Sequence, residues 1–188
     1  MLRREGARHP KIDVGYNRGT RNGDKIGSRK MRSDKKVDVK PTVSDKTKRQ
    51  IYKFSELCEL PVKDVAQQLI ENACTSSLIL EEINQWFRRD YVCPPAIHKG
   101  NIDRPRLKII SNEETGKLNT RLTQESYDLL CDLSYSIDLP PTTTAAILIK
   151  RTLHNRDFMF DYVRSLKHID DEQKNVIHAF LRKIWGFR

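Results

Sequence analysis

Lys117-Leu118-Asn119-Thr120-Arg121-Leu122-Thr123 alternates polar and apolar residues, and the chain then changes period, with Leu129, Leu130, Leu133 and Ile137 at helical spacing. A period of two is the pattern of a half-buried strand, so Leu118, Thr120 and Leu122 are expected on one face and Lys117, Asn119 and Arg121 on the other. Thr123 stands where a side-chain oxygen can cap the helix that follows. Leu139-Pro140-Pro141 interrupts that helix, because proline disfavours the helical conformation before it yet fits the first turn of a new one. Ala145, Leu148, Ile149, Thr152 and Leu153 then resume an apolar stripe. The order read is strand, helix, helix.

The same order stands seventy-nine residues earlier. Val37, Val39 and Val43 alternate with Asp38, Lys40 and Thr42, Ser44 is placed to cap a helix, and Ile51, Phe54, Leu57 and Cys58 mark its apolar face. Leu60-Pro61 stops it, and Val62, Val65, Ala66, Leu69, Ile70 and Ala73 form a second stripe. Without a gap, Val39, Val43, Ile51, Phe54, Leu60, Pro61, Ala66 and Leu69 fall opposite Leu118, Leu122, Leu130, Leu133, Leu139, Pro140, Ala145 and Leu148. Pro41 occupies an inward strand position and has no amide for a ladder, so this strand is expected to be short, at an edge or irregular.

Further helical stretches follow each copy. Leu80, Ile83, Trp86 and Phe87 end near Tyr91, and Phe158, Tyr162, Val163 and Leu166 follow the second copy; these aromatics read as core. A last helix starts from an Asp170 cap, with Gln173 three positions on as in a capping box, and runs through Val176, Ile177, Phe180 and Ile184 to Trp185. Pro94, Pro95, Gly100, Pro105 and Gly116 mark residues 93–116 as a linker, in which Arg104, Arg106 and Lys108 read as solvated. The organisation expected is a disordered basic arm over 1–36, a first unit with an added helix over 37–92, the linker over 93–116, and a second unit with added C-terminal helices over 117–188.

The net charge of +10 on 188 residues favours a polyanionic partner. Residues 1–36 carry twelve Lys and Arg against four acids, which is +8 of that total, together with five of the eight glycines. Few apolar residues fall there, as in unstructured arms that contact phosphates. The remaining 152 residues hold 23 basic and 21 acidic groups, so any binding surface on the body must be local. No run approaches a membrane span, no signal-peptide pattern appears, and the expected location is cytoplasmic. Cys58, Cys74, Cys93 and Cys131 form no CxxC pair and read as reduced thiols, with no metal or cofactor expected. The histidines at 9, 98, 154, 168 and 178 lie far apart, and no phosphate loop or catalytic motif is present, so the expectation is a non-enzyme with no small-molecule substrate.

A short strand, a capped helix, a turn and a second amphipathic helix, clearest in Lys117 to Leu153, resembles the ribbon-helix-helix family of bacterial, phage and plasmid DNA-binding proteins. The resemblance covers about 37–74 and 116–154. It implies a mainly α fold in which two tandem ribbon-helix-helix units form a pseudo-dimer with a two-stranded antiparallel ribbon, plus extra C-terminal helices. It implies a sequence-specific double-stranded DNA-binding protein, either a transcriptional regulator of a mobile element or a plasmid or phage DNA-processing accessory protein. Strand residues Lys40, Thr42, Lys117, Asn119 and Arg121 would face the major groove, with Thr123, Thr142 and Thr143 as further contacts at helix starts. Self-association on adjacent half-sites is compatible with this reading. Two features depart from the family pattern: Leu-Pro replaces the usual glycine turn, and Pro41 interrupts the first strand. The alternative is a helical interaction or structural protein whose basic arm binds RNA or an anionic membrane.

Overall fold

A computed structural model describes residues 36–108 and 114–186; the basic arm, apart from Lys36, lies outside the described residues. In chain order the described residues form β1 (Val37–Val39), β2 (Thr42–Ser44), α1 (Asp45–Leu57), α2 (Val62–Thr75), α3 (Ser77–Ile83), a 3-10 turn (Asn84–Trp86), β3 (Tyr91–Cys93) and β4 (Ala96–His98). There follow β5 (Thr115–Lys117), β6 (Thr120–Leu122), α4 (Gln124–Ile137), α5 (Pro141–His154), α6 (Arg156–Ser165) and α7 (Asp171–Ile184). None of these helices is long and apolar enough to cross a membrane.

This corrects the expected architecture. The fold is mainly helical, but seven helices and three small two-stranded antiparallel sheets do not divide into two tandem ribbon-helix-helix units with helices appended. The reason is hydrophobic burial. Ile79, Leu80 and Ile83 of α3, Phe158, Met159, Tyr162 and Val163 of α6, and Ile177 and Leu181 of α7 belong to the same core as the helices on either side of each proline turn. α7 packs on α1, and α6 on both α5 and α3. A core shared in this way makes the added helices part of the fold.

Local chemistry sets the element ends. Ser44 and Thr123 accept from the amides of Thr47 at 3.3 Å and Ser126 at 3.2 Å, capping α1 and α4. Asp170 caps α7 by accepting from Gln173 N at 2.8 Å, but Gln173 does not close a capping box. Its side-chain amide instead donates to Leu57 O at 2.9 Å, tying α7 to the end of α1.

The Leu-Pro turns are solved without glycine. Glu59 and Asp138 carry the left-handed conformation, with φ of 54° and 60°. The following amides, Leu60 and Leu139, reach back to Ser55 O at 3.1 Å and Ser134 O at 3.0 Å, closing the same six-residue loop at both helix ends. The seventy-nine-residue equivalence therefore holds at backbone level here, though the surrounding helices differ.

Within residues 93–116 the chain builds β4 and most of β5. The β3–β4 hairpin turns at Pro94-Pro95, and Tyr91, buried on its inner side, donates its hydroxyl to Cys74 O at 2.9 Å. Arg104 is partly buried and donates to the carbonyls of Asn84 and Phe87, the latter at 3.1 Å, which fastens this segment to the end of the 3-10 turn.

Candidate nucleic-acid interface

Strands far apart in the sequence pair with each other inside one chain. β1 lies antiparallel to β6, with Val37 opposite Leu122, Asp38 opposite Arg121 and Val39 opposite Thr120. β2 lies antiparallel to β5, with Thr42 opposite Lys117, Val43 opposite Gly116 and Ser44 opposite Thr115. The two sheets keep one register, because each step forward on one strand is matched by a step back on the other. Between them Leu118 donates its amide to Pro41 O at 2.9 Å. Pro41 has no amide to return, and the ladder is interrupted there.

This interrupted ribbon has an inner and an outer face. Val39, Pro41 and Val43 are buried on one strand, and Leu118, Thr120 and Leu122 on the other. The inner face packs on the helices, β6 against α2 and β2 against α5. Thr120, a polar residue on that side, is satisfied by donating its hydroxyl to Lys63 O at 3.1 Å. Asp38, Lys40, Thr42, Lys117, Asn119 and Arg121 are exposed on the outer face.

The bond from Leu118 to Pro41 marks that pair as a hydrogen-bonded position of the ladder. The outer pairs, Asp38 with Arg121, Lys40 with Asn119 and Thr42 with Lys117, therefore occupy the alternate positions, where opposing side chains approach most closely. Asp38 and Arg121 meet across the strands, Oδ1 to Nε 2.7 Å, with side chains 57% and 67% exposed. Such an exposed pair stabilises the ribbon by about 0.2–1 kcal/mol. Asp38 therefore neutralises Arg121 on this face, a cross-strand partnership that strand alternation alone does not reveal.

Five of the eight expected contact residues, Lys40, Thr42, Lys117, Asn119 and Arg121, thus share one exposed face. Thr123 lies just past β6 with its hydroxyl already engaged, donating to Ser126 Oγ at 2.8 Å as well as capping α4. Thr142 is exposed and Thr143 half-buried in the first turn of α5. Pro140 O accepts from both Thr143 N at 3.0 Å and Thr144 N at 2.9 Å, which leaves Thr142 N as the first-turn amide without an acceptor among the described residues. The start of α2 repeats this geometry, with Pro61 O accepting from Asp64 N and Val65 N. Lys63 there is exposed and tied to the ribbon through Thr120.

A second cluster of cations went unread in the sequence. Arg88, Arg89 and Arg106 converge on Asp138, at 3.6, 3.4 and 2.8 Å, at the left-handed end of α4. Arg89 also donates to Tyr135 O at 2.8 Å and lies over the Tyr135 ring, 4.3 Å from its centre. These arginines brace the proline turn. Tyr135 carries no sequence signal beyond its exposed helical position.

The histidines among the described residues meet neighbouring rings and backbone carbonyls. Among the described residues no three His, Cys, Asp or Glu side chains gather in a metal-binding group. His98 packs its ring against Phe87 and Tyr91, His154 meets Lys150 O, His168 meets Cys58 O at 2.8 Å, and His178 stacks on Phe160. The four cysteines are free, and burial pushes the Cys58 and Cys74 thiols up to about 12.

No protein-family model, curated protein or solved structure matches the chain.

Proposed function

We propose that the chain binds double-stranded DNA sequence-specifically, laying the outer face of the interrupted ribbon in the major groove. One observation carries this reading: six polar side chains, with a net charge of +2, project from a two-stranded antiparallel unit whose other face is sealed against α2 and α5. A two-stranded ribbon fits the roughly 12 Å width of the major groove. Arginine and lysine are chemically suited to guanine, asparagine to adenine, and threonine to either base or phosphate.

The remaining contacts follow from charge. Lys63 and Thr142 sit in the first turns of the two helices packed against the ribbon and are available to phosphates, where free amides favour an anion. Residues 1–36 supply twelve further cations for phosphate contact. The reading assigns no catalysis and places the protein in the cytoplasm, as a regulator of a mobile element or an accessory protein in plasmid or phage DNA processing. Adjacent half-sites would accommodate more than one copy.

Duplex binding by the full chain, titrated between 50 and 200 mM salt, tests the proposal. The expected result is tight binding to a subset of sequences with a log-log salt slope of about −0.9 for each phosphate neutralised. Equal, weak affinity for all duplexes would contradict it.

A further inference from the structure

The outer face carries, at the pair of Asp38 and Arg121, unused hydrogen-bonding groups of both kinds. Arg121 spends Nε on Asp38 Oδ1 at 2.7 Å, and no other bond to either side chain is present among the described residues. Both Nη groups of Arg121, with four N–H donors between them, therefore remain, and Oδ2 of Asp38 remains as an acceptor. The pair sits at directly opposed, non-hydrogen-bonded positions, so the acceptor and the donors come from opposite strands on one face of the ribbon.

A G·C pair shows groups complementary to these in the major groove. Guanine N7 and O6 are two acceptors, and the cytosine exocyclic amine beside them is a donor. An A·T pair instead presents acceptor, donor, acceptor and then the thymine methyl, which would set adenine N6 against an Nη donor. We propose that Asp38 and Arg121 act as one unit that reads a single G·C base pair, with Arg121 donating through Nη1 and Nη2 to guanine and Asp38 accepting from cytosine N4. Asp38 is then a specificity-determining residue.

The Nε bond has a second consequence. An exposed arginine has several rotatable bonds, and fixing its guanidinium before contact reduces the conformational freedom lost on binding. Holding it by Nε leaves the Nη1–Nη2 edge, the one that makes a bidentate contact, unoccupied. Asp38 also places a negative charge where a phosphate would otherwise be drawn to Arg121, which favours base contact over backbone contact.

This inference rests on the proposed duplex binding, and its test separates the two. Sites are selected from a random double-stranded library with the full chain, its Asp38→Ala variant and its Arg121→Lys variant, and each position of the enriched site is then replaced in turn. The wild type is expected to require G·C over A·T at one position by about tenfold or more, a preference of the size one bidentate contact provides. Asp38→Ala should lose that preference while keeping the rest of the site, with affinity for the A·T version within about threefold of wild type. Arg121→Lys should lose preference at the same position, because an ammonium lacks the fork.

Equal thermal midpoints for Asp38→Ala and wild type would exclude unfolding as the cause. An unchanged motif with Asp38→Ala, or loss at a position different from that of Arg121→Lys, overturns the paired reading and leaves the proposed function standing. Failure of the wild type to enrich any duplex overturns both.

Discussion

Leu118 donates its amide to Pro41 O at 2.9 Å, and Pro41 has no amide with which to complete the pair. The ladder from Val37 to Ser44 thus carries one gap in an otherwise constant register. Pro41→Val would supply the missing donor at a buried position on the inner face. The new bond contributes about 0.5–1.5 kcal/mol and the added freedom of the unfolded chain offsets about 0.4–1 kcal/mol, so stability should change by less than about 1 kcal/mol. Amide exchange at position 41 should be slow, in step with that of Leu118; fast exchange there would show that the register breaks at the proline.

The two left-handed residues predict opposite outcomes. Glu59 is exposed, and Gln173, which donates to its carboxylate at 3.1 Å, keeps Leu57 O as a partner without it. Glu59→Gly should therefore raise stability by about 0.5–1 kcal/mol by relieving a conformation that costs a side chain. Asp138 has the same φ but anchors Arg88, Arg89 and Arg106, and its side chain is only 22% exposed. Asp138→Ala should lower stability by about 2–3 kcal/mol, because it leaves partly buried guanidinium groups without a counter-charge. Denaturant unfolding of both variants checks the pair.

Much of this was legible before the structure. The caps Ser44, Thr123 and Asp170 stand at helix starts because short side-chain oxygens meet free amides there, and Pro61 and Pro140 fall at the starts of α2 and α5 for an equally local reason. Strand alternation was enough to sort Lys117, Asn119 and Arg121 from Leu118, Thr120 and Leu122. What the sequence left hidden depends on distant partners. The β3–β4 hairpin is three residues per strand with prolines at its turn, below the length at which alternation speaks. Arg104 looks like a solvated charge until the carbonyls of Asn84 and Phe87 are brought beside it, and Arg106, still exposed, finds the carboxylate of Asp138. The tandem-unit expectation failed for the same reason: an apolar helical stripe shows that α3, α6 and α7 bury a face, but not which core receives it.

His178 gives the molecule an acid sensitivity. Burial, and then the neighbouring Arg182 charge, hold its imidazole below the ordinary 6.5. The unfolded chain takes up this proton near pH 6.5, before the folded chain does, so the contribution is present above 6.5 and is lost as pH falls below it. The thermal midpoint should fall between pH 7.5 and 5.5. His178→Phe, which keeps a ring against Phe160, should remove part of that fall; an identical pH profile would show that the histidine is not its source.

Removing residues 1–36 takes away +8 of charge and leaves every residue of the ribbon in place, with one exposed bond, Lys36 Nζ to Gln67 Oε1 at 3.2 Å, lost beside it. The truncated chain should bind preferred and random duplexes more weakly by a similar factor and show a shallower salt slope, since phosphate contacts add affinity without sequence information. Titrations at three salt concentrations measure both. A loss confined to preferred sites would place base contacts in the arm.

Protection of a duplex from cleavage is the sharpest probe of the outer face of the ribbon. The wild-type chain should protect a short duplex site obtained by selection, and the combined Lys117→Ala, Asn119→Ala and Arg121→Ala variant, folded to the same thermal midpoint within a few degrees, should leave that site unprotected while retaining salt-sensitive binding to random duplex. Protection of the same site at the same protein concentration by the triple variant would mean that the ribbon's outer face does not contact the bases.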